Sequence, residues 1–127
     1  MSNHLHLVVS AVNNDTSDML RDFKKFTSKQ IIKAIADNGG ESRKEWMLKI
    51  FASAGTQNSR NANDQFWRQD NHPVELYSEH FTKQKIHYIY ENPVVAGIVD
   101  KAVAYLYSSA KDYYIGKNCG LLTIELL

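Results

Sequence analysis

His4-Leu5-His6-Leu7-Val8-Val9 is the stretch on which the reading of the fold turns, because apolar and polar residues alternate there and β-branched residues follow. Side chains of an extended chain point alternately to opposite faces, so His4 and His6 share one face and Leu5, Leu7 and Val9 the other. The pattern predicts a strand with its apolar face on the core and two imidazoles turned away from it. Downstream, Asn13, Asn14 and Asp15 make a polar turn, and Asp15, Thr16 or Ser17 supplies a helix N-cap. That helix runs to about Asp37, with Leu20, Phe23, Thr27, Ile31 and Ala34 on a buried stripe flanked by Met19, Phe26 and Ile35. Asn38-Gly39-Gly40 ends it. A second helix spans about Ser42 to Ala54 and buries Trp46 and Ile50, with Met47 and Ala54 beside them. Gly55 to Asp64 has no periodicity and reads as a loop.

Two short extended segments follow, Phe66 to Gln69 and Val74 to Tyr77. Ser78 then caps a third helix carrying Phe81, Lys85, Ile86, Tyr88, Ile89 and Asn92, which Pro93 stops or kinks. An apolar turn surrounds Gly97, residues 102–114 are irregular or short helical, and Leu121 to Leu127 is a possible last strand. These elements sum to an α+β fold, with helices packed on one face of a small, mostly antiparallel sheet.

The 127 residues are expected to form a single domain, 1–127. Fifteen Lys and Arg against fourteen Asp and Glu leave a net charge of +1, so contact with nucleic acid has to be local. The one cysteine, Cys119, excludes an internal disulfide and a four-cysteine zinc site. Histidines and oxygen donors are the metal ligands on offer. No apolar run approaches the roughly 18 residues of a membrane helix and no signal-peptide pattern opens the chain, so no membrane partner and a cytoplasmic location are expected.

His4 and His6 form one candidate pair, since two imidazoles on the same side of a strand can grip a divalent ion. Two histidines at this spacing also arise by chance on a solvent-facing edge. Tyr88 and Asn92, four apart, stack on one helix face. Their plain alternative is a core tyrosine and an asparagine that ends a helix. Joined, the four make chemical sense: a phenol, with an ordinary pKa of about 10, attacks a phosphodiester only when a divalent ion polarises and orients it. Two imidazoles and an amide oxygen suit Mg2+ or Mn2+ and leave positions open for phosphate and water.

Five blocks, Met1 to Val9, Arg21 to Ser28, Phe66-Trp67, Lys85 to Val99 and Tyr107 to Ala110, fall in the order seen in REP-associated tyrosine transposases, which the chain resembles along its length. The most specific is Tyr88-Ile-x-x-Asn92-Pro93-Val94-x-x-Gly97. The resemblance implies a ferredoxin-like, single-tyrosine HUH transposase domain. It implies Tyr88 as nucleophile and His4, His6 and Asn92 as metal ligands. Tyr90 is the competitor, but two helical steps turn it roughly opposite to Asn92. The implied activity is metal-dependent cleavage and strand transfer of single-stranded hairpin DNA through a covalent 5′-phosphotyrosine, with release of a 3′ hydroxyl.

Arg21, Lys24, Lys25, Lys29 and Lys33 on the first helix suit a phosphate backbone, and Trp67 and Arg68 are placed to touch DNA near the site. A solvated charged face is the equal alternative for the basic stripe, since Asp18 and Asp22 lie among the same turns. In the family a strand-helix-strand segment precedes the histidine strand, so the chain is expected to be incomplete at its amino end. Its exposed sheet edge would then be covered by a second copy in a homodimer. Two other functions stay open: a catalytically inactive remnant that binds structured single-stranded DNA, and a metal-stabilised structural domain.

Overall fold

The computed structural model describes residues 4–13, 15–59, 63–116, 120, 121 and 124. Their regular structure consists of α1 (Thr16–Asp37), α2 (Lys44–Thr56), a 3-10 turn (Ala102–Ala104) and α4 (Ala110–Tyr114), with α3 (Glu79–Val95) preceding the turn. No strand occurs among the described residues, and the expected α+β, ferredoxin-like sheet is corrected to a helical fold. The physical reason lies in pairing. A strand exists only through hydrogen bonds to a neighbour, and residues 4–9 are irregular backbone with Leu5, Leu7 and Val9 about half exposed. The other extended segments are engaged in aromatic packing on helices. The proposed last strand, Leu121 to Leu127, falls mostly outside the described residues.

The chain divides into two compact units, Val9–Pro73 and Met1–Val8 with Val74–Leu127. In the first, Asp15 caps α1 by accepting a 3.0 Å hydrogen bond from the Asp18 amide. An aromatic wedge joins α1 to α2. The Phe66 ring lies 5.2 Å from that of Phe51 on α2, and Trp67 packs on Phe66 and on Phe23 of α1. Trp67 Nε1 donates to Thr27 Oγ1 at 2.8 Å, which satisfies the indole where its ring is half-buried. Lys24 Nζ clamps the following loop through the Arg68 carbonyl at 2.7 Å and Asn71 Oδ1 at 2.6 Å. The wedge selects a different face of α2 from the one the periodicity suggested. Met47, Leu48, Phe51 and Ala54 are half-buried, whereas Trp46 is 63% exposed and Ile50 stands half out. Phe26 on α1 is likewise exposed.

In the second unit Ser78 caps α3 by accepting from the Phe81 amide at 3.2 Å. Ile86, Tyr90, Ala102 and Ala110 form the core, with Ile89, Val94 and Tyr113 packed against it. Pro93 is buried inside α3, and the helix continues to Val95 rather than stopping before the proline. It ends in a Schellman motif: the Gly97 amide donates to the Val94 carbonyl and the Ile98 amide to the Pro93 carbonyl, both at 2.9 Å. Gly97 makes this possible with φ +67°, a left-handed conformation. In α4 Asp112 is 1% exposed, and its Oδ1 accepts from the Gly120 amide at 2.9 Å.

Two substitutions test these joints. A Cβ at position 97 meets nothing within 4 Å, so Gly97→Ala carries only the backbone penalty, a loss of about 1–2 kcal/mol. Urea unfolding should show it as a lower midpoint at unchanged slope, with Gly97→Asn affected less. Gly55 is the opposite case: alanine would favour helix by about 1 kcal/mol, but its Cβ would lie 2.2 Å from the Asn63 carbonyl oxygen. Gly55→Ala should therefore lower the melting temperature, and a rise would show that the 63–64 backbone yields freely.

Candidate functional site

An extended chain turns alternate side chains to the same side, and the segment before Val9 does so without belonging to a sheet. The His4 and His6 rings lie 4.9 Å apart, edge to face. On α3 the burial of Ile86, Tyr90 and Pro93 fixes the helix's rotation, and Tyr88 comes out on the exposed side. Its ring stands 6.2 Å from that of His6 at 83° and is 59% exposed. Asn92, one turn further on, is half-buried. The four residues thus belong to one unit, with His6 touching both its histidine neighbour and the tyrosine.

Tyr90 occupies the other side of the same helix. It is 6% exposed, its hydroxyl lies 3.0 Å from Ser109 Oγ, and its ring packs on Tyr113 and Tyr114. A phosphodiester cannot reach it without opening the core.

Two polar atoms of the group are buried without a hydrogen bond among the described residues: His6 Nε2 and Asn92 Nδ2. Orphaned atoms of this kind cost free energy and call for a partner. A cation fits at His6, whose bare Nε2 is a ligand when the ring is neutral. An amide N–H cannot ligate, so Asn92 offers an ion only its Oδ1. Imidazole nitrogen and amide oxygen are donor types that manganese and magnesium accept, but no group of three or more His, Cys, Asp or Glu that could hold a metal ion occurs among the described residues. Burial, and secondarily the neighbouring charge of His4, hold the His6 pKa below its ordinary value of 6.5. The ring is accordingly in its donor form at neutral pH.

The basic residues of α1 lie in the other unit and divide by their partners. Arg21 pairs with Asp18 and Asp22, and Lys33 with Asp37 four residues on at 2.5 Å. Lys24 is held by the Arg68–Asn71 loop. Lys25 and Lys29 are exposed and make no ion pair among the described residues. Trp67 is committed to packing, and Arg68 is exposed. Of the five basic residues of α1, Arg21 and Lys33 are thus neutralised on the helix itself, and Lys24 is held by uncharged acceptors.

One pair escaped the sequence reading: His87 Nδ1 lies 3.4 Å from the Tyr114 hydroxyl, and burial together with Glu91 raises the Tyr114 pKa. Twenty-seven residues of separation left no local pattern to reveal it.

The His6 shift has a signed consequence. A base whose folded pKa is lowered destabilises the fold as pH falls below 6.5, because the unfolded chain then binds more protons. In a metal-free NMR titration the His6 ring should protonate below 6.5 and stability should fall across that window. A His6 midpoint at or above 6.5 would contradict the burial described. Compared with protein-family models, curated proteins and solved structures, the chain matches none, so its functional reading rests on these residues and on the resemblance of its five blocks.

Proposed function

We propose that the protein cleaves and rejoins single-stranded DNA at hairpins, as a single-tyrosine, metal-dependent transposase, with Tyr88 as nucleophile. The observation that carries the reading is the opposition of the two tyrosines on α3: Tyr88 exposed against His6, Tyr90 sealed in the core.

His4 and His6 would hold a divalent cation, Mg2+ or Mn2+, through ring nitrogens, and Asn92 would complete the protein's share through Oδ1. When bound, that cation supplies positive charge at the phosphate oxygens and lowers the barrier to attack. Tyr88 Oη attacks the phosphorus, losing its proton to water. The phosphotyrosine ester forms on the 5′ side as the bond from phosphorus to the 3′ oxygen breaks, and that oxygen leaves as a hydroxyl. A 3′ hydroxyl attacking the ester reverses the step, so strand transfer needs no external energy. Lys25 and Lys29 are the α1 cations left for the DNA backbone. Self-association as a homodimer belongs to the same proposal, because Leu5 and Leu7 stand half exposed beside the histidines.

No helix among the described residues is long and apolar enough to cross a membrane. Incubated with manganese and a labelled hairpin oligonucleotide, the protein should form a covalent adduct that Tyr88→Phe abolishes and Tyr90→Phe retains. His4→Ala should lose the adduct through the ion. Salt-sensitive hairpin binding with no adduct under any divalent ion would replace the enzyme by an inactive DNA-binding remnant.

A further inference from the structure

One face of α3 carries more than the proposed nucleophile. At 100° per residue, Phe81, Lys85, Tyr88 and Asn92 fall within an arc of about 60°. Just before the helix, Tyr77 stacks on Phe81 with ring centroids 4.7 Å apart and planes 15° from parallel. Tyr77 is 77% exposed, so its outer ring face is open to solvent. Lys85 Nζ sits 5.1 Å over the Phe81 ring, and Lys85 makes no ion pair among the described residues. A cation–π contact thus holds an ammonium at the stacked aromatics, on the helix face that also carries Tyr88.

We infer that Tyr77, Phe81 and Lys85 form a platform for the unpaired DNA strand that flanks the cleaved phosphate, a base stacking on Tyr77 and a backbone phosphate meeting Lys85. The inference rests on the DNA-cleaving reading above and names the part of the substrate that this face holds. Its length suits the task. Phe81 and Tyr88 are seven residues apart, about 10.5 Å along the axis, which spans no more than about three nucleotides at the roughly 3.4 Å per phosphate of a stacked strand. Exposed aromatics take bases of any sequence because every base offers a π face, and the adjoining cation tracks the phosphates. An aromatic pair serving only to seat the start of the helix has no use for an unpaired lysine at its edge.

The test is fluorescence anisotropy in a chelator, with a hairpin oligonucleotide carrying single-stranded flanks and variants with one abasic position in the three nucleotides either side of the hairpin foot. One abasic position should weaken wild-type binding about 5- to 150-fold, the range of a single base–aromatic stack. Tyr77→Ala should weaken the intact oligonucleotide by the same factor, and the two changes together should cost no more than either alone. Tyr77→Phe should keep full affinity, and Lys85→Gln should flatten the salt dependence by about 0.7 in logarithmic slope. Unchanged affinity in Tyr77→Ala, or losses that multiply with the abasic position, would overturn the platform. The two readings separate in manganese: normal adduct formation without the abasic effect removes the platform alone, whereas the abasic effect without any adduct keeps the platform and removes the nuclease.

Discussion

The burial of the Tyr90 ring in the core, with its hydroxyl 3.0 Å from Ser109 Oγ, governs what α3 presents outside. A helix that buries Ile86, Tyr90 and Pro93 has its rotation set, since each residue advances the direction of the side chain by about 100°. Tyr88 is then turned outward beside His6, and Phe81, Lys85 and Asn92 follow it to the same side. Tyr90 thus contributes to the site by occupying the place Tyr88 must not take. The hydrogen bond matters because a phenol enclosed without a partner would favour rotating outward, and with it the register of the whole face.

The unit Val9–Pro73 uses a comparable device with different residues. Phe66 and Trp67 lie in irregular backbone, yet their rings reach Phe51 on α2 and Phe23 on α1 and bridge the two helices. The Gln65 amide donates to the Phe51 carbonyl at 2.9 Å and binds this segment to α2. Packing by a short aromatic insertion explains how helices with few buried side chains hold together.

Local signals were legible in the sequence and distant ones were not. Asp15 and Ser78 advertise their helix starts because an N-cap is a matter of one side chain and an amide three residues on. Gly97 advertises a turn because few residues adopt positive φ. Alternation at His4 to Val9 describes which side chains share a side, and His4 and His6 do meet; it says nothing of whether another segment comes alongside, which is where the sheet expectation failed. Trp46 and Ile50 misled for a related reason. Apolar spacing marks a stripe on α2, but the Phe66–Trp67 segment decides which stripe is covered, and that choice depends on residues well over ten positions away. At the candidate site, the shared face of Tyr88 and Asn92 follows from helical spacing, while the approach of His6 to Tyr88 depends on tertiary structure.

The Schellman ending of α3 has an electrostatic consequence. Aligned peptide dipoles leave the carboxyl end of a helix with roughly half a negative charge, felt within the last turn. Asn92 stands in that turn, and no Lys or Arg side chain lies there to neutralise it. The motif ties two of the terminal carbonyls to Gly97 and Ile98 and so holds the end of the helix rigid without adding positive charge. A cation near Asn92 would therefore gain about 0.3–1 kcal/mol from the backbone alone, before any side chain contributes. The same field repels an anion that arrives unaccompanied, so the peptide backbone itself sets a preference for positive charge at this end of α3.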